Sequence, residues 1–273
     1  MINNNEKNLE PFKPKGLLFD VDKTLTTTQH VISHKTISSL KKLRNTNLKF
    51  GLCTGRSYAM LKNYVLKFFP DYSIHVMSGG GEVISKKGKI IWSKYIDSEL
   101  VKIIIDKTEK LKSEYCLSQG DTFFGSKRII NKYLNHPWDI KTNSQIDQAG
   151  LKGIPLISIV NLNTPCRNFF KNLKGITVKE MLGTNDQPYL DITQEGVTKL
   201  TGSTIWAKTN GLKIEEIAAF GDSENDLEVL NGVGLGIAMG NATEKVKRIA
   251  EVIIKHTDED GLSQFIDELI AKK

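Results

Sequence analysis

A pair of aspartates, Asp20 and Asp22, follows a short apolar stretch near the start of the chain, with Thr24 two residues further on. Side chains two residues apart on an extended strand point to the same side, so we expect the two carboxylates to lie close together. Two close anions repel each other unless they share a proton or a cation. Because Mg²⁺ commonly binds through one or two carboxylates together with phosphate and water, the pair indicates a magnesium site. Taken alone, it also fits a turn or helix cap built from aspartate and threonine.

A second polar cluster, Thr54, Gly55 and Arg56, follows another apolar run. A threonine hydroxyl and backbone N–H groups at the start of a helix can cradle a phosphate, and an arginine can add a bidentate contact. The tripeptide also fits an ordinary turn, so it indicates a phosphate site only in combination with the acidic pair.

The C-terminal half supplies a lysine and a second acidic cluster. Lys199 opens a stretch with helical character, and the next apolar run ends in Gly221 and Asp222. Asp226 follows Asp222 closely enough for both carboxylates to reach one ion, while Gly221 permits a tight approach of the chain. Acidic residues at a helix start also serve as caps, but one cap does not need two aspartates.

Short apolar runs alternate with helical patterns, and the acidic and Thr-Gly-Arg clusters directly follow such runs. This pattern predicts an α/β fold in which a Rossmann-like parallel sheet is connected by crossover helices. Ligands of open parallel sheets bind at the carboxyl ends of the strands, so we expect the clusters to meet there. The predicted core strands are residues 15–21, 48–53, 73–78, 217–221, 233–238 and 252–254.

The pattern changes between the third and the fourth of these strands. That segment carries strand-like pieces at 89–92, 121–124 and 156–160 and a helical pattern at 98–111. An insertion of about 100 residues has the size of a small domain. Within it, Trp138 is expected to pack in the interior or to line a substrate pocket. We predict a flexible leader at 1–14, a core domain at 15–84 and 188–273, and an inserted α+β domain at 85–187.

Composition restricts the class of protein. The chain has 273 residues, a formal charge of +7, 39% hydrophobic residues and three widely spaced cysteines. These values are typical of a soluble globular protein and support neither a disulfide framework nor a zinc site. No apolar run reaches the about 18 residues of a membrane span, the polar N-terminus is no secretory signal, and the scattered lysines come without a nucleic-acid motif. We expect a cytoplasmic protein with no membrane or nucleic-acid partner, and the sequence carries no signal for its oligomeric state.

Taken in order, the four clusters resemble the motifs of the haloacid dehalogenase (HAD) superfamily of phosphatases. Residues 16–84 and about 188–270 carry the resemblance. The segments AAFGDSENDLEVL, GLGIAMGNATEKVKRIAEVI and TDEDGL are similar to the Cof-type subfamily in particular, and the insertion has the position and size of that subfamily's α+β cap. The resemblance implies a Mg²⁺-dependent phosphatase that hydrolyses small phosphorylated metabolites, such as sugar phosphates or pyridoxal phosphate, through an aspartyl-phosphate.

The resemblance also implies a role for each matching residue. Asp20 would be the nucleophile and Asp22 the general acid and base. The phosphoryl group would contact Thr54, Gly55, Lys199 and Asn225. Mg²⁺ would be held by Asp20, the backbone carbonyl of Asp22, Asp222 and Asp226. Substrate or cap contacts would come from Arg56, Gly80 and Asn241, the last of which would also order the loops around the site.

Two positions depart from the family pattern. Lys23 stands where the family usually has glycine, which brings a cation and a side chain into the loop after the nucleophile. Gly79, Gly80 and Gly81 stand where Cof-type members usually carry Asn-Gly, so the family's substrate contacts at this junction are not expected to carry over unchanged.

Three alternatives stay open. Residues 22–26 resemble the DKTGT motif of ion-pumping ATPases, which would make Asp22 the nucleophile; against it, Leu25 replaces glycine, no membrane span is present and the apolar run ends at Asp20. A phosphotransferase or phosphosugar mutase would use the same site with a sugar hydroxyl as acceptor. A non-catalytic ligand sensor would retain the fold, although the full set of acids and Lys199 argues against it.

Overall fold

The computed structural model describes residues 12–133, 136, 138–144, 151–183 and 187–272. Its strands are β1 (Gly16–Phe19), β2 (Lys49–Leu52), β3 (Ile74–Met77), β4 (Glu82–Ser85), β5 (Ile90–Ser93), β6 (Glu114–Gln119), β7 (Thr122–Gly125), β8 (Thr142–Asn143), β9 (Ile157–Val160), β10 (Ile176–Leu182), β11 (Pro188–Gln194), β12 (Ile217–Gly221), β13 (Leu235–Ala238) and β14 (Val252–Ile253). Its α-helices are α1 (His34–Leu43), α2 (Tyr58–Leu61), α3 (Ser98–Lys110), α4 (Lys127–Asn131), α5 (Thr164–Asn172), α6 (Lys199–Thr209), α7 (Leu227–Gly232), α8 (Glu244–Ile249) and α9 (Gly261–Ala271).

A parallel sheet in the order β14-β13-β12-β1-β2 forms the core among the described residues. Its central strands are apolar and buried on both faces, which is typical of a sheet covered by helices on both sides. Phe19 at the end of β1 lies in register with Phe220 of β12 and Leu52 of β2. The residues that follow these three strands therefore emerge side by side at the carboxyl edge. The predicted α/β fold with a Rossmann-like parallel core is confirmed.

A smaller sheet continues the core beyond β2. β3 makes a parallel bridge to the end of β2 through Cys53 and Val76, and then turns into an antiparallel hairpin with β4, which pairs with β5. The sequence pattern predicted β3 but missed β4. It also assigned the strand at 89–92 to the inserted domain, whereas its hydrogen bonds place β5 beside the core.

The inserted segment forms a sheet in the order β10-β11-β9-β6-β7-β8 among the described residues. β11 pairs with both β10 and β9, although the predicted boundary after residue 187 assigns it to the core. These pairings favour other limits for the inserted domain, which we call the cap. We propose that the chain crosses between core and cap at residues 94–97 and 195–198.

Along the strands of the cap sheet, side chains point alternately to an apolar and to a polar face of the sheet. On β11, Leu190 and Ile192 are fully buried in the apolar interior of the cap, against α3 and α5. Successive side chains of a strand point to opposite faces, so Tyr189, Asp191 and Thr193 lie on the other face. That polar face is turned toward the carboxyl edge of the core sheet, where Asp191 and Thr193 border the same cavity as Lys199.

The helical segment between β2 and β3 is interrupted in the structure. α2 ends early, and a separate helical turn follows at Val65–Phe68. At the break, Asn63 donates to the Asp139 carbonyl of the cap at 2.6 Å, and the ring of Tyr64 stacks on Trp138. Tertiary contacts with the cap therefore outweigh helix propensity at this point.

Most of the predicted leader, residues 1–11, lies outside the described part of the chain. Phe12 packs against the apolar core and Pro14 is buried, so residues 12–14 belong to the folded core rather than to a leader. Across the described residues, no helix combines the length and the apolar character needed to cross a membrane.

Candidate active site

The carboxyl edge of the core sheet holds a buried lysine between two aspartates. Asp20 follows β1, and Lys199 is the first residue of α6, whose N-cap is Thr198. Nζ of Lys199 lies 2.7 Å from Oδ1 of Asp20 and 2.7 Å from Oδ1 of Asp226. The three side chains are almost fully buried. A charged lysine at this depth requires such close partners, so the pairs fix the orientation of the Asp20 carboxylate.

Asp222 completes an acidic cluster around the lysine. Carboxylate oxygens of Asp20, Asp222 and Asp226 lie within 4.8 Å of one another. The backbone N–H groups of Asp222 and Ser223 donate to Oδ2 of Asp226 at 3.1 and 3.2 Å and orient it. Three carboxylates face one ammonium group here, which leaves an excess of negative charge that a divalent cation would balance. The donor set consists of carboxylate oxygens, and it therefore fits Mg²⁺.

Burial and mutual repulsion shift the pKa values in this cluster. Burial raises the pKa of Asp20 to about 7, with Lys199 opposing the shift and Asp226 adding to it. Burial and the neighbouring Asp20 also raise the pKa of Asp222 well above its ordinary value. Burial alone would lower the pKa of Lys199, but Asp20 and Asp226 outweigh it and raise that pKa well above its ordinary value, so the ammonium group stays charged.

Donor groups from separate loops face the Asp20–Lys199 pair. Thr54 is buried after β2, and its hydroxyl accepts a hydrogen bond from the Arg56 N–H at 3.1 Å. Oδ1 of Asn225 accepts from Nζ of Lys199 at 3.3 Å, and its amide nitrogen lies toward Gly55. A cavity of about 20 Å³ lies between Gly55, Lys199 and Asn225, which is room for roughly one water molecule. Of the residues predicted to hold the phosphoryl group, Gly55, Lys199 and Asn225 therefore border one cavity.

Asp22 lies outside this cluster and is held by Arg56. Nε and Nη2 of Arg56 donate to Oδ2 and Oδ1 of Asp22 at 2.6 and 2.8 Å, and Nδ1 of His30 lies 3.3 Å from Oδ1. Burial raises the pKa of Asp22, but Arg56 and His30 outweigh that effect and hold the pKa well below its usual range. The sequence predicted that Arg56 contacts substrate or cap, and its guanidinium does lie over the cap residue Trp138. Its two hydrogen bonds to Asp22, however, join it to the core.

Gly80, for which a substrate or cap contact was predicted, packs against the start of α6 instead. A Cβ at this position would lie 1.9 Å from the Thr198 carbonyl oxygen and 3.1 Å from the Lys199 nitrogen. Gly79 borders the cavity, and Gly80 supports the backbone that carries Lys199. This packing requires glycine, because only a residue without a side chain lets the turn approach α6 this closely.

Replacing Gly80 by alanine should therefore destabilise the fold and slow any reaction that uses Lys199. The new Cβ would collide with backbone rather than with a movable side chain, and the φ of +99° is one that L residues rarely adopt. We expect the free energy of unfolding to fall by at least about 2 kcal/mol. Displacement of Lys199 should lower kcat by about 100-fold. Urea unfolding and steady-state kinetics measure the two effects.

Gly211→Ala is the matched control for this prediction. Gly211 has a φ of +71°, but none of the described residues places an atom within 4 Å of a Cβ built on it. The control should lose only about 1 kcal/mol for the left-handed backbone and keep its kcat. Equal losses in the two variants would contradict the importance of the contact with Thr198.

Asn241 connects two loops beside the site. Its Nδ2 donates to the Lys23 carbonyl at 2.8 Å, and its Oδ1 accepts from the Thr257 N–H at 2.9 Å. Lys23 has a φ of +54°, the left-handed region in which glycine is the usual residue. The hydrogen bond from Asn241 therefore helps to hold a backbone conformation that the lysine adopts at a cost.

The cap contributes two charged residues to which the sequence did not point. Asp191 and Lys179 line the cavity together with Lys199. Oγ of Ser158 donates to Oδ1 of Asp191 at 2.5 Å, while Oδ2 lies toward Gly55. Burial raises the pKa of Asp191 to about 6, against the opposing hydrogen bond from Ser158. The strict alternation of polar and apolar residues along β11 is the signal that could have revealed this face.

Comparison with known proteins gives one family and many relatives of similar length. The family described as haloacid dehalogenase-like hydrolase matches residues 17–266. The 5-amino-6-(5-phospho-D-ribitylamino)uracil phosphatase YitU of Bacillus subtilis is 24% identical over 265 residues, which cover 94% of this chain and 97% of YitU. The HMP-PP phosphatase of an Enterobacter species is 22% identical over 258 residues, covering 91% of this chain and 93% of that enzyme.

Solved structures share the fold. A haloacid dehalogenase-like hydrolase from Bacteroides thetaiotaomicron has a TM-score of 0.80 at 22% identity, covering 94% of this chain and 100% of that one. A sugar phosphatase of HAD subclass IIB has a TM-score of 0.78 at 24% identity, covering 93% of this chain and 98% of that one. The family match spans the acidic clusters, the Thr-Gly-Arg loop and the cap, and it confirms the resemblance seen in the sequence: the chain belongs to the haloacid dehalogenase-like hydrolases.

Proposed function

We propose that the protein is a Mg²⁺-dependent phosphatase that hydrolyses small phosphorylated metabolites through an aspartyl-phosphate on Asp20. The observation that carries the proposal is the Asp20 carboxylate, held 2.7 Å from Nζ of Lys199 within a cluster of acids. A fixed carboxylate beside a cation that can receive phosphate oxygens is suited to attack phosphorus. The alternative with Asp22 as nucleophile finds no support in this geometry, because Arg56 occupies both oxygens of Asp22.

The proposed reaction has two steps. A carboxylate oxygen of Asp20 attacks phosphorus while the bond to the leaving oxygen breaks, and protonated Asp22 gives its proton to that oxygen. Water then attacks phosphorus and gives a proton to Asp22, and the bond from phosphorus to Asp20 breaks to release inorganic phosphate. Lys199, Thr54 and Asn225 would stabilise the charge on the phosphoryl oxygens.

Asp22 must take up a proton before it can donate one. In the structure it is bound to Arg56 through two hydrogen bonds that favour its ionised form. The negative charge of a substrate phosphate beside Arg56 would offset the charge of the guanidinium and raise the pKa of Asp22, so that Asp22 can take up a proton while Arg56 still holds it in place.

Asp20, Asp222 and Asp226 would hold Mg²⁺ through their carboxylate oxygens, and the family resemblance adds the backbone carbonyl of Asp22. When bound, the ion offsets the repulsion between the Asp20 carboxylate and an incoming phosphate dianion. With the pKa of Asp20 at about 7, a large share of the nucleophile is protonated at neutral pH unless a cation favours the ionised form. Activity should therefore depend on a divalent cation.

The residues of the cap favour a small, polar substrate. YitU and the HMP-PP phosphatase both carry names that specify small phosphorylated molecules. The polar face of the cap offers Asp191, Lys179 and Tyr189 to the cavity region, and such groups recognise hydroxyl and amine hydrogen-bond partners. A cavity of about 20 Å³ cannot hold such a ligand, so the cap must move away from the core to admit it.

Replacing Asp191 by asparagine should weaken binding of hydroxyl-rich phosphates selectively. A hydrogen bond to a charged acceptor contributes enough for its loss to raise KM by about 10- to 100-fold. Because the pKa of Asp191 is about 6, the native carboxylate loses its charge as pH falls below that value. Below about pH 6 the KM of the native protein for the sugar phosphate should therefore rise more steeply than that of Asp191→Asn, in which only the substrate phosphate titrates.

The measurement is kinetics from pH 5 to 8 with the best sugar phosphate found and with p-nitrophenyl phosphate, which lacks the hydroxyls. Asp106→Asn, on the exposed side of α3, is the control and should leave both KM values unchanged. An Asp191→Asn variant with native KM for the sugar phosphate would remove Asp191 from the substrate site.

A screen of the purified protein against phosphorylated metabolites, with Mg²⁺ and with a chelator, tests the proposed function. Release of inorganic phosphate that requires the cation supports a phosphatase. An isomerised phosphosugar without free phosphate would point to a mutase instead. No reaction with any metabolite or with p-nitrophenyl phosphate would contradict enzymatic function.

A further inference from the structure

One cap residue, Trp138, is buried among core side chains beside Asp22. Its indole is fully inaccessible to solvent and stacks on the ring of Tyr64, with 5.9 Å between centroids and 9° between planes. The indole also contacts two further residues of the core. Cζ of Arg56 lies 4.5 Å from the indole centroid, and Nε1 of Trp138 donates to the His30 carbonyl at 3.0 Å.

Arg56 holds the Asp22 carboxylate, and His30 lies beside it. Arg56 supplies two hydrogen bonds at 2.6 and 2.8 Å, and Nδ1 of His30 lies 3.3 Å from Oδ1. His30 has a φ of +60°, a conformation that needs support from its surroundings. The indole of Trp138 thus contacts each of the two groups that determine where Asp22 lies.

We propose that Trp138 is a positioning residue that couples closure of the cap to the placement of the general acid. When the cap is seated, the indole fixes Arg56 by stacking and His30 by its hydrogen bond, and these two residues fix Asp22. The inference rests on the proposed function, since it takes Asp22 as the acid of the reaction. It adds a cap residue to that step, one that has no direct contact with Asp20, Lys199 or the acidic cluster.

Physical reasons favour control of Asp22 by the cap. The Asp22 side chain is 35% exposed and the Arg56 side chain 17%, so the pair would be open to solvent on the side that Trp138 covers. An ion pair in contact with water is weak and allows many side-chain arrangements. Removal of the indole should therefore leave Asp22 present but no longer fixed in one position.

Loss of a positioned acid has a kinetic signature that a general loss of structure lacks. An acid accelerates departure of a poor leaving group, by about 100- to 10,000-fold in typical cases, and contributes little when the leaving group is stable as an anion. Phenyl phosphate and p-nitrophenyl phosphate have similar shapes, but p-nitrophenolate leaves far more easily than phenolate. A fall in kcat that is confined to phenyl phosphate therefore reports on the position of Asp22.

The test compares kcat and KM of Trp138→Leu with both aryl phosphates in the presence of Mg²⁺. We expect kcat for phenyl phosphate to fall by about 10-fold or more, kcat for p-nitrophenyl phosphate to change by less than about threefold, and both KM values to stay close to native. Trp138→Phe keeps a ring over Arg56 but loses the N–H to His30, and should fall between Trp138→Leu and the native protein.

Phe169→Leu is the matched control, because Phe169 is another cap aromatic in contact with a cation, with Nζ of Lys107 5.2 Å from the ring centroid. The Phe169→Leu variant should keep native kcat and KM for both substrates. Equal losses on both substrates in Trp138→Leu would overturn the proposal and assign Trp138 a structural role. If that variant does not fold, Trp138→Phe decides, since a native ratio of the two substrates would overturn it.

Asp22→Asn separates failure of this inference from failure of the proposed function. If Asp22→Asn selectively loses kcat for phenyl phosphate while Trp138→Leu does not, Asp22 is the acid and Trp138 does not position it. If Asp22→Asn shows no selectivity, the acid role of Asp22 is wrong, and the inference about Trp138 fails with it.

Discussion

Asp20→Asn is expected to abolish turnover, with kcat at least about 1,000-fold below native for every substrate, because an amide cannot form the covalent intermediate. The carboxylate is held by Lys199 at 2.7 Å within the acidic cluster, and asparagine fills the same space. The loss should therefore reflect chemistry and not a change of shape. It should appear equally with phenyl phosphate and p-nitrophenyl phosphate, in contrast to the selective loss expected for Asp22→Asn.

The same substitution should leave stability intact or increase it. The pKa of Asp20 is raised to about 7 by burial and by the neighbouring acids, so the ionised side chain is less favourable in the folded protein than in the unfolded chain. Removing this charge removes like-charge repulsion with Asp222 and Asp226. We expect the Tm without added cation to equal or exceed the native value at pH 8.

Asp267→Asn is the control, because Asp267 pairs with Lys42 and Ser39 at the surface of the core, away from the site. It should keep native kcat. A native kcat in Asp20→Asn would remove Asp20 from the reaction. A strongly lowered Tm would mean that the loss of kcat reflects loss of structure and not loss of the nucleophile.

Lys199→Met should lower both activity and stability. Lys199 is the ammonium group that Asp20 and Asp226 share, so its removal leaves buried carboxylates without a partner. Breaking a buried ion pair from one side typically costs about 3–5 kcal/mol of unfolding free energy. Loss of a cation that stabilises the phosphoryl oxygens should lower kcat by about 100- to 1,000-fold.

A divalent cation should restore part of the stability that this variant loses, but it should not restore the lost activity. With Lys199 absent, the acidic cluster attracts a cation more strongly, so addition of Mg²⁺ should raise the Tm of Lys199→Met by more than it raises the native Tm. Lys208→Met, on the exposed side of the same helix, should behave like the native protein. An unchanged Tm and kcat in Lys199→Met would contradict the arrangement described here.

Much of the core could be predicted because its strands are buried on both faces. Such strands appear in the sequence as continuous apolar runs, and the acids at their ends then mark one edge of the sheet. Asp20, Thr54 and Asp222 were identified in this way, since the parallel register brings consecutive strand ends together.

The cap was harder to predict because its strands carry mixed faces. In β10, Val178 lies between Thr177 and Lys179, and most of the strand is only partly buried, so its pattern is short and ambiguous. In α5, Cys166 and Phe170 are the residues buried in the cap interior, too few for a periodic signal. β4 was missed because its four residues form only a short run. β11 was assigned to the core because its pairing with β9 joins residues far apart in sequence, such as Leu190 and Ile159.

The pairing of Arg56 with Asp22 could not be predicted at all. An arginine beside a phosphate site can bind either the ligand or a nearby carboxylate, and the sequence does not distinguish the two. In the folded protein Arg56 pairs with Asp22, and Trp138 approaches from the cap to cover one side of the guanidinium. Side-chain partnerships that cross between core and cap are properties of the folded protein.

Trapping of the phosphorylated enzyme tests the role of Asp20 most directly. The protein is mixed with Mg²⁺ and a substrate from the screen, quenched during turnover and treated with borohydride, which reduces an acyl phosphate on aspartate to homoserine. Peptide mass spectrometry should then find homoserine at position 20, and none should form without substrate. Homoserine at position 22, or unmodified Asp20 during rapid phosphate release, would contradict covalent catalysis by Asp20.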